Sequence, residues 1–207
     1  MSSITQTETQ MGISNRIWPL GLACTIGGLL WWLLNVSGPL NIPLGPPVVE
    51  GVIGMVLLMG LVGGPLGLLA LRATGNRRIG LAGTIVTLLG LLSYLAGQLL
   101  QTVFGFATQE IGVLYAAGAL LVGLGMLLLG VVALLERRLK GWRRFAPLLV
   151  GLYYAAMIPV QIVFFIGPGG APSSVLLAFW GMTWALLGYA ISSEPRRSQL
   201  PGNRSPG

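Results

Sequence analysis

Two glutamates, Glu50 and Glu110, are the side chains of this sequence best suited to proton or cation chemistry, because each stands at the start of a long apolar stretch. One explanation is structural: a carboxylate in the first turn of a helix is stabilised by the helix dipole and by free N–H groups. Pro46 and Pro47, just ahead of Glu50, are typical of such a helix start. The other explanation is a symmetry-related pair at the mouth of a cavity, binding a cation or relaying a proton. The sequence favours the first explanation, since neither glutamate lies in mid-stretch.

Amide and phenol side chains form a second pattern, in which residues three and four positions apart share one face of a predicted helix. The longest such line leads from Thr84 and Thr87 toward Gln101, and shorter lines occur in the first and fifth apolar stretches. Polar side chains within a membrane span seldom face lipid. The lines predict either an outward-opening polar pocket or interhelical hydrogen bonds, worth about 0.6 kcal/mol each, and the second interpretation is favoured. With the two glutamates, the candidate ligand-binding residues are Asn35, Glu50, Tyr94, Gln98, Gln101, Glu110, Tyr154 and Gln161.

Several residue types that catalytic and metal sites require are missing. The chain has no His and no Asp, and Cys24 is its single cysteine. A Ser-His-Asp triad, a His-ligated metal or haem, and a disulfide within the chain are therefore excluded. Lys140 falls between apolar stretches, which excludes an intramembrane Schiff-base lysine, and no G-x-x-x-x-G-K-[ST] loop occurs. We expect no catalytic residue, no metal and no cofactor; an intramembrane enzyme using the glutamates and tyrosines is the least favoured function.

The elements that position these residues are transmembrane helices. Charged residues make up 8% of the 207 residues and hydrophobic residues 54%, whereas about a quarter of the residues in soluble domains are charged. Six apolar stretches are close to or above the roughly 20 residues that cross a bilayer, and lipid requires each to be helical. The sequence predicts an all-α bundle of six transmembrane helices over 17–191, between a cytoplasmic N-terminal tail (1–16) and a disordered cytoplasmic tail (192–207). The predicted helices are 17–36, 48–71, 79–100, 111–135, 145–166 and 174–191.

Basic residues occur in alternate loops, which predicts the orientation of the bundle. The loops 72–78 and 136–144 and the tail carry arginine or lysine, whereas 37–47, 101–110 and 167–174 carry none. Because cytoplasmic loops collect Lys and Arg, both termini are predicted to be cytoplasmic. Contact with anionic headgroups then explains the net charge of +7, and nucleic acid is not an expected partner. The residues predicted to set this topology and to contact anionic lipid are Arg72, Arg77, Arg78, Arg137, Arg138, Lys140, Arg143 and Arg144.

An internal repeat is visible when 50–104 is aligned without gaps to 110–164, since 17 of the 55 positions are identical. The polar matches carry the most weight, because leucine and glycine are abundant throughout. They include Tyr94 with Tyr154 and Gln101 with Gln161. Shorter similarities link the first apolar stretch to the third and the sixth to the fourth. We predict a two-helix hairpin of about 60 residues used three times in parallel orientation, an arrangement found among transporters.

Small residues recur four positions apart, for example Gly60 with Gly64 and Gly181 with Ala185. Small side chains allow helix backbones to approach closely. We therefore expect tight packing within the bundle, with docking of a membrane-protein partner or a second copy of the chain as the alternative.

These patterns predict a non-enzymatic membrane protein, either a small permease or a lipid- or small-molecule-binding protein with an outward-facing polar cavity. The alternative is a non-catalytic structural or assembly subunit of a larger membrane complex. In its general look the chain resembles small six-helix membrane proteins of bacteria. That resemblance implies a multi-pass protein of the plasma (inner) membrane.

Reporter tags inserted separately into 72–78, 136–144 and 101–110 test the predicted topology in the intact membrane. Tags in the first two loops should be accessible from the cytoplasm only, and a tag in the third from outside only, because arginine resists transfer across the bilayer. Tags in 72–78 and 136–144 that reported opposite faces would contradict both the orientation and the number of helices between them.

Overall fold

The structure is a computed structural model that describes residues 2–37, 45–74, 77–108, 110–166 and 170–193. Throughout these ranges the regular structure is helical, without any strand. A 3-10 helix (Gly141–Phe145) leads into the sixth α-helix, and a π-helix (Ile162–Ile166) follows it. The α-helices are α1 (Ser2–Ser37), α2 (Pro47–Leu61), α3 (Gly63–Ala70), α4 (Arg77–Phe104), α5 (Gly112–Glu136), α6 (Ala146–Gln161) and α7 (Ser174–Ser193).

Six helical stretches are long and apolar enough to cross a membrane, which confirms the all-helical prediction and indicates a multi-pass membrane protein. Their ends lie within four residues of the predicted ends. Helix α1 begins at Ser2, so that helical backbone continues through most of the predicted tail 1–16. From residue 194 onward, the predicted disordered tail lies outside the described residues. Residues 38–44 and 167–169, which belong to two of the predicted loops, also lie outside them. The six stretches are Ile17–Ser37, Pro47–Ala70, Arg78–Phe104, Gly112–Glu136, Gly141–Ile166 and Ser174–Ser193.

Two of the six stretches depart from regular α-helix, and each contains a proline near the irregularity. The second stretch is interrupted at Val62, between α2 and α3, three residues before Pro65. Proline has no N–H to offer the carbonyl four residues earlier, and its ring clashes with that carbonyl. Pro159 lies inside α6, which ends two residues later and continues as the π-helix. Proline and π turns are both recognised causes of kinks in long helices.

The six stretches form a closed ring in chain order, because each packs on the next and α7 packs on α1. Neighbouring helices are antiparallel. On the α1–α7 interface, for instance, Gly28 faces Gly181 near one end and Gly21 faces Gly188 near the other. The loops after α3 and α5 therefore lie at the same end of the bundle, which we call the basic end. We call the other end, where α2 and α7 begin, the opposite end.

The two most extensive helix pairs, α1–α7 and α4–α5, share one packing arrangement. Each helix contributes two glycines seven residues apart, a spacing that keeps both on one side of the helix. A Cβ atom added to any of these glycines would lie 2.6–3.3 Å from the carbonyl oxygen of the facing glycine, so the backbones are in contact. The facing pairs are Gly21 with Gly188, Gly28 with Gly181, Gly83 with Gly125, and Gly90 with Gly118.

Glycine-to-alanine substitutions distinguish this backbone contact from generic helix stability. Gly28→Ala should lower the free energy of unfolding by about 1–3 kcal/mol, because its methyl group forces α1 away from α7. The measurement is reversible unfolding in detergent, followed by circular dichroism.

Gly112→Ala is the matched control, because a Cβ at Gly112 meets nothing within 4 Å. Its stability should be unchanged or slightly raised, since alanine is the better helix former. Equal destabilisation by the two substitutions would show that the close approach does not limit stability.

Candidate functional site

Five aromatic side chains from four helices meet inside the bundle, with Trp180 of α7 at their centre. The ring centroids of Trp31 and Tyr154 are each 5.3 Å from that of Trp180, in edge-to-face geometry. The ring centroids of Tyr94 and Trp184 lie 6.0 Å from it. Trp180, Trp184 and Tyr154 are at most 2% exposed. We call these five residues the aromatic cluster.

Helix α7 positions the centre of this cluster. Of the six apolar stretches, it is the one most enclosed by the rest of the protein. Trp180 and Trp184 are four residues apart and so share one helix face. Glycine on α3 provides the space they need: a Cβ at Gly64 would lie 2.9 Å from Cζ3 of Trp184. The indoles therefore occupy volume that small residues on neighbouring helices leave free.

Four polar atoms of the aromatic cluster are buried without a hydrogen-bond partner. They are the indole nitrogens of Trp31, Trp180 and Trp184 and the hydroxyl oxygen of Tyr154. An indole N–H can only donate, whereas a phenol can donate or accept. Each unpartnered buried group costs roughly 1–3 kcal/mol, and a neighbouring ring face compensates only weakly. The described residues thus offer these buried indole N–H groups no oxygen or nitrogen acceptor.

A chain of amide and hydroxyl groups leads from the aromatic cluster to the opposite end of the bundle. The ring of Tyr115, on α5, lies against that of Tyr94, with centroids 5.9 Å apart. The Tyr115 hydroxyl donates to Oε1 of Gln101 at 2.9 Å and lies 3.5 Å from Oε1 of Gln98. Gln101 in turn donates to Oγ1 of Thr108 at 3.1 Å. We call this group the amide–phenol cluster: Gln98, Gln101, Thr102, Thr108 and Tyr115.

Part of the predicted ligand-binding set is thus brought together. Tyr94, Gln98 and Gln101 lie along one path on α4, and the Tyr154 ring meets the same Trp180 ring as that of Tyr94. This places side chains from two of the three predicted polar lines around a common centre.

Gln161 and Asn35 are engaged by backbone groups elsewhere. Gln161 is 5% exposed, and its Nε2 donates to the Ser173 carbonyl at 3.3 Å. The Ser173 N–H donates back to Oε1 of Gln161 at 2.7 Å, which ties the end of α6 to the segment before α7. Asn35 donates from Nδ2 to the carbonyl of Trp31, within α1, at 3.0 Å. The Gln161 contact joins two elements, whereas the Asn35 contact stays within one helix and is not an interhelical bond.

The two glutamates lie at the opposite end. Glu50 is half-buried in the first turn of α2, after Pro46 and Pro47, where a carboxylate complements the helix dipole. Glu110 is exposed and precedes α5, and its Oε2 accepts a hydrogen bond from the Ala107 N–H at 2.8 Å. Glu110 thereby stabilises the turn that leads into α5.

The basic residues lie at the basic end, as their loops require. Arg72 and Arg137 follow α3 and α5 in left-handed conformations, with φ of 50° and 51°. Glycine is the usual residue at such positions, but an arginine there brings positive charge to the negative end of the helix dipole. Arg138 pairs with Glu136 at 3.8 Å. The remaining residues of this group are Arg77, Arg78, Lys140, Arg143 and Arg144.

Sequence reasoning missed Trp31, Trp180, Trp184 and Tyr115, which form much of the site. The spacing of Trp180 and Trp184 was a usable signal, because two indoles four residues apart share one face of a helix. Tyr115 also carried a signal, as a single phenol in a stretch otherwise composed of small and aliphatic residues. For Trp31 there was none, since Trp32 is adjacent and nothing in the sequence distinguishes the two indoles.

Comparison with protein-family models, with curated protein sequences and with solved structures gives no match to this chain. Within the described ranges, no group of three or more His, Cys, Asp or Glu side chains is placed to hold a metal ion.

Two adjacent tyrosines test whether the Tyr154 hydroxyl lacks a partner. Tyr153 donates to the Leu176 carbonyl at 2.7 Å, whereas the Tyr154 hydroxyl lies beside that of Tyr94 without forming a full hydrogen bond. Tyr153→Phe should lower the free energy of unfolding by about 1 kcal/mol, the net worth of one hydrogen bond. Tyr154→Phe should leave it unchanged or raise it, because it removes an unsatisfied group. Equal losses in thermal unfolding experiments on ligand-free protein would mean that Tyr154 has a partner.

Proposed function

We propose that this chain is a membrane-embedded binding protein, acting as a small permease or as a lipid- or small-molecule-binding protein, whose binding site is the aromatic cluster. The observation that carries this proposal is the set of buried, unpartnered donors around Trp180. Native structures rarely leave buried polar groups unsatisfied without water, a ligand or a functional reason to explain them. Three indoles with this property, those of Trp180 and of its neighbours Trp31 and Trp184, favour a bound acceptor.

The chemistry of the cluster defines the class of ligand. Its side chains carry no formal charge, and its three indoles offer donors only. The complementary molecule is uncharged, with an apolar or flat body that packs against aromatic rings and with carbonyl, ether or hydroxyl oxygens that accept hydrogen bonds. Such a molecule partitions into a bilayer, which suits a site among transmembrane helices.

The amide–phenol cluster supports entry from the opposite end, which the arginine distribution predicts to be the outer face. Its groups become more exposed with distance from the centre: Tyr115 and Gln98 are half-buried, and Gln101 and Thr108 are exposed. Amides and hydroxyls offer successive hydrogen bonds to a polar group that moves inward. In this proposal they form the outward-facing polar part of the site.

The predicted hairpin repeat is part of the proposal, and one pair of contacts supports it. Ser93 of α4 donates to the Leu114 carbonyl of α5 at 2.7 Å, and Tyr153 of α6 donates to the Leu176 carbonyl of α7 at 2.7 Å. Ser93 and Tyr153 are 60 positions apart, the shift of the ungapped alignment. The two donors thus stand at equivalent positions of the aligned repeat, whereas the acceptors Leu114 and Leu176 are 62 positions apart. Tyr94 and Tyr154 follow directly after the donors.

The alternative function, a structural or assembly subunit, is less well supported because the small residues it requires face neighbours within the chain. The glycines of the second stretch are representative: a Cβ at Gly60 would contact the Ala23 carbonyl oxygen at 3.0 Å, and one at Gly67 would contact Ile191 at 2.9 Å. Gly97, Gly123 and Gly181 likewise face neighbouring helices. A docking surface for another membrane protein would have to use other residues.

Matched probes test the proposed ligand class. Purified wild-type protein should be stabilised against thermal unfolding more by uncharged ketones and quinones than by hydrocarbons of the same shape, because only the former accept hydrogen bonds. A ligand at one hundred times its Kd adds about 2.7 kcal/mol of stability. Tyr154→Phe and Trp180→Phe should reduce the difference between the probes.

Tyr153→Phe and Trp142→Phe are the controls, since the first retains the aromatic cluster and the second changes an exposed indole at the basic end. Both should respond to the probes as the wild type does. If each ketone or quinone stabilised the wild type no more than its hydrocarbon counterpart, the proposed site would be wrong.

A further inference from the structure

A groove at the basic end lies outside both clusters. It has a volume of about 410 Å³, is open to the exterior of the bundle, and lies where the 3-10 helix and α6 meet α7. Trp142 and Phe145 are about half exposed, at 50% and 48%. Trp142 also stacks on Tyr189 of α7, with ring centroids 6.2 Å apart and planes 12° from parallel. The groove is lined by Trp142, Phe145, Ala146, Leu149 and Leu186.

The segment that forms one wall of this groove is strongly basic. Five basic residues occur in 137–144, and Glu136 beside them pairs with Arg138 at 3.8 Å. The Arg144 guanidinium carbon lies 4.9 Å from the centroid of the Phe145 ring, which lines the groove. Nε of Arg144 is buried and has no hydrogen-bond partner. The Arg144 guanidinium therefore lies against a ring that lines an apolar, outward-facing groove, although Arg144 itself does not line it.

We propose that this groove binds one anionic phospholipid, with an acyl chain along its apolar lining and the headgroup phosphate on Arg144. The planar guanidinium matches phosphate through paired, charge-assisted hydrogen bonds. Tryptophan and tyrosine are the residues that settle at the level of lipid headgroups, which fits the stacked Trp142 and Tyr189. Basic pockets between transmembrane helices are suited to anionic headgroups. The site is independent of the aromatic cluster and of the ligand proposed there.

The charge requirement is tested with full-length protein in nanodiscs of phosphatidylcholine containing a minor fraction of phosphatidylglycerol. Native mass spectrometry then measures how much of each of the two lipids remains bound to the protein. Wild-type protein should retain phosphatidylglycerol preferentially. Arg144→Gln should lower that preference by about tenfold, the loss expected with one charge-assisted hydrogen bond. Arg16→Gln, which removes the same charge from the basic end but from α1, should lower it less than about twofold.

Equal loss in the two arginine variants would overturn the proposal, because it would show diffuse attraction to the whole basic end. Equal retention of the two lipids by wild-type protein would also overturn it.

The acyl chain is tested separately from the charge. Leu149→Trp fills the groove, whereas Leu152→Trp adds the same bulk to an exposed position on the same helix that does not line it. The first variant should lose phosphatidylglycerol and the second should keep it, with helicity unchanged in both. Soluble glycerol phosphate should fail to displace the lipid. Displacement by glycerol phosphate, or retention of the lipid by Leu149→Trp, would exclude a site that depends on an acyl chain.

Discussion

Backbone contact between glycines holds this bundle together. Lipid is as apolar as leucine, so helices in a membrane gain little by hiding aliphatic side chains from it, and close packing must supply the difference. The facing pairs Gly28 with Gly181 and Gly90 with Gly118 bring carbonyl oxygens of one helix to where a Cβ would stand on the other. The bulky aliphatic residues, such as Val113 and Leu135, are consequently free to face outward, where they are 80% and 76% exposed.

The same close packing explains why the aromatic cluster buries polar N–H groups. Small residues on α3 and α7 bring the helices close enough to enclose Trp180 and Trp184 almost completely, which removes their N–H groups from any solvent. A sequence selected for stability alone would place phenylalanine there, since a buried indole N–H without a partner is costly. Departures from local packing rules are expected where function requires them. A ligand at the proposed site would offset the cost of these donors.

The helices could be predicted from the sequence because apolar stretches of this length can cross a bilayer only as helices. The six stretches, and the irregularities at Pro65 and Pro159, follow from hydropathy and proline chemistry. The site was predicted only in part, because a helical line of polar residues gives a face but not the partner that it meets. Gln101 and Gln161 are equivalent in the aligned repeat, yet one lies on a path of side chains and the other clamps the Ser173 backbone. Tertiary contacts alone separate these two roles.

The distribution of charge gives the two ends of the bundle different chemistry. At the opposite end the amide–phenol cluster offers hydrogen bonds and no formal charge, so it discriminates by donors and acceptors. At the basic end Arg144 and its neighbours are predicted to attract anionic headgroups, and the same charges predict the orientation of the chain in the membrane. A neutral ligand is not drawn toward arginine, and an anionic lipid finds no cation in the aromatic cluster. One distribution of arginine thus underlies the predicted orientation and the proposed lipid contact, and it keeps the two proposed sites chemically separate.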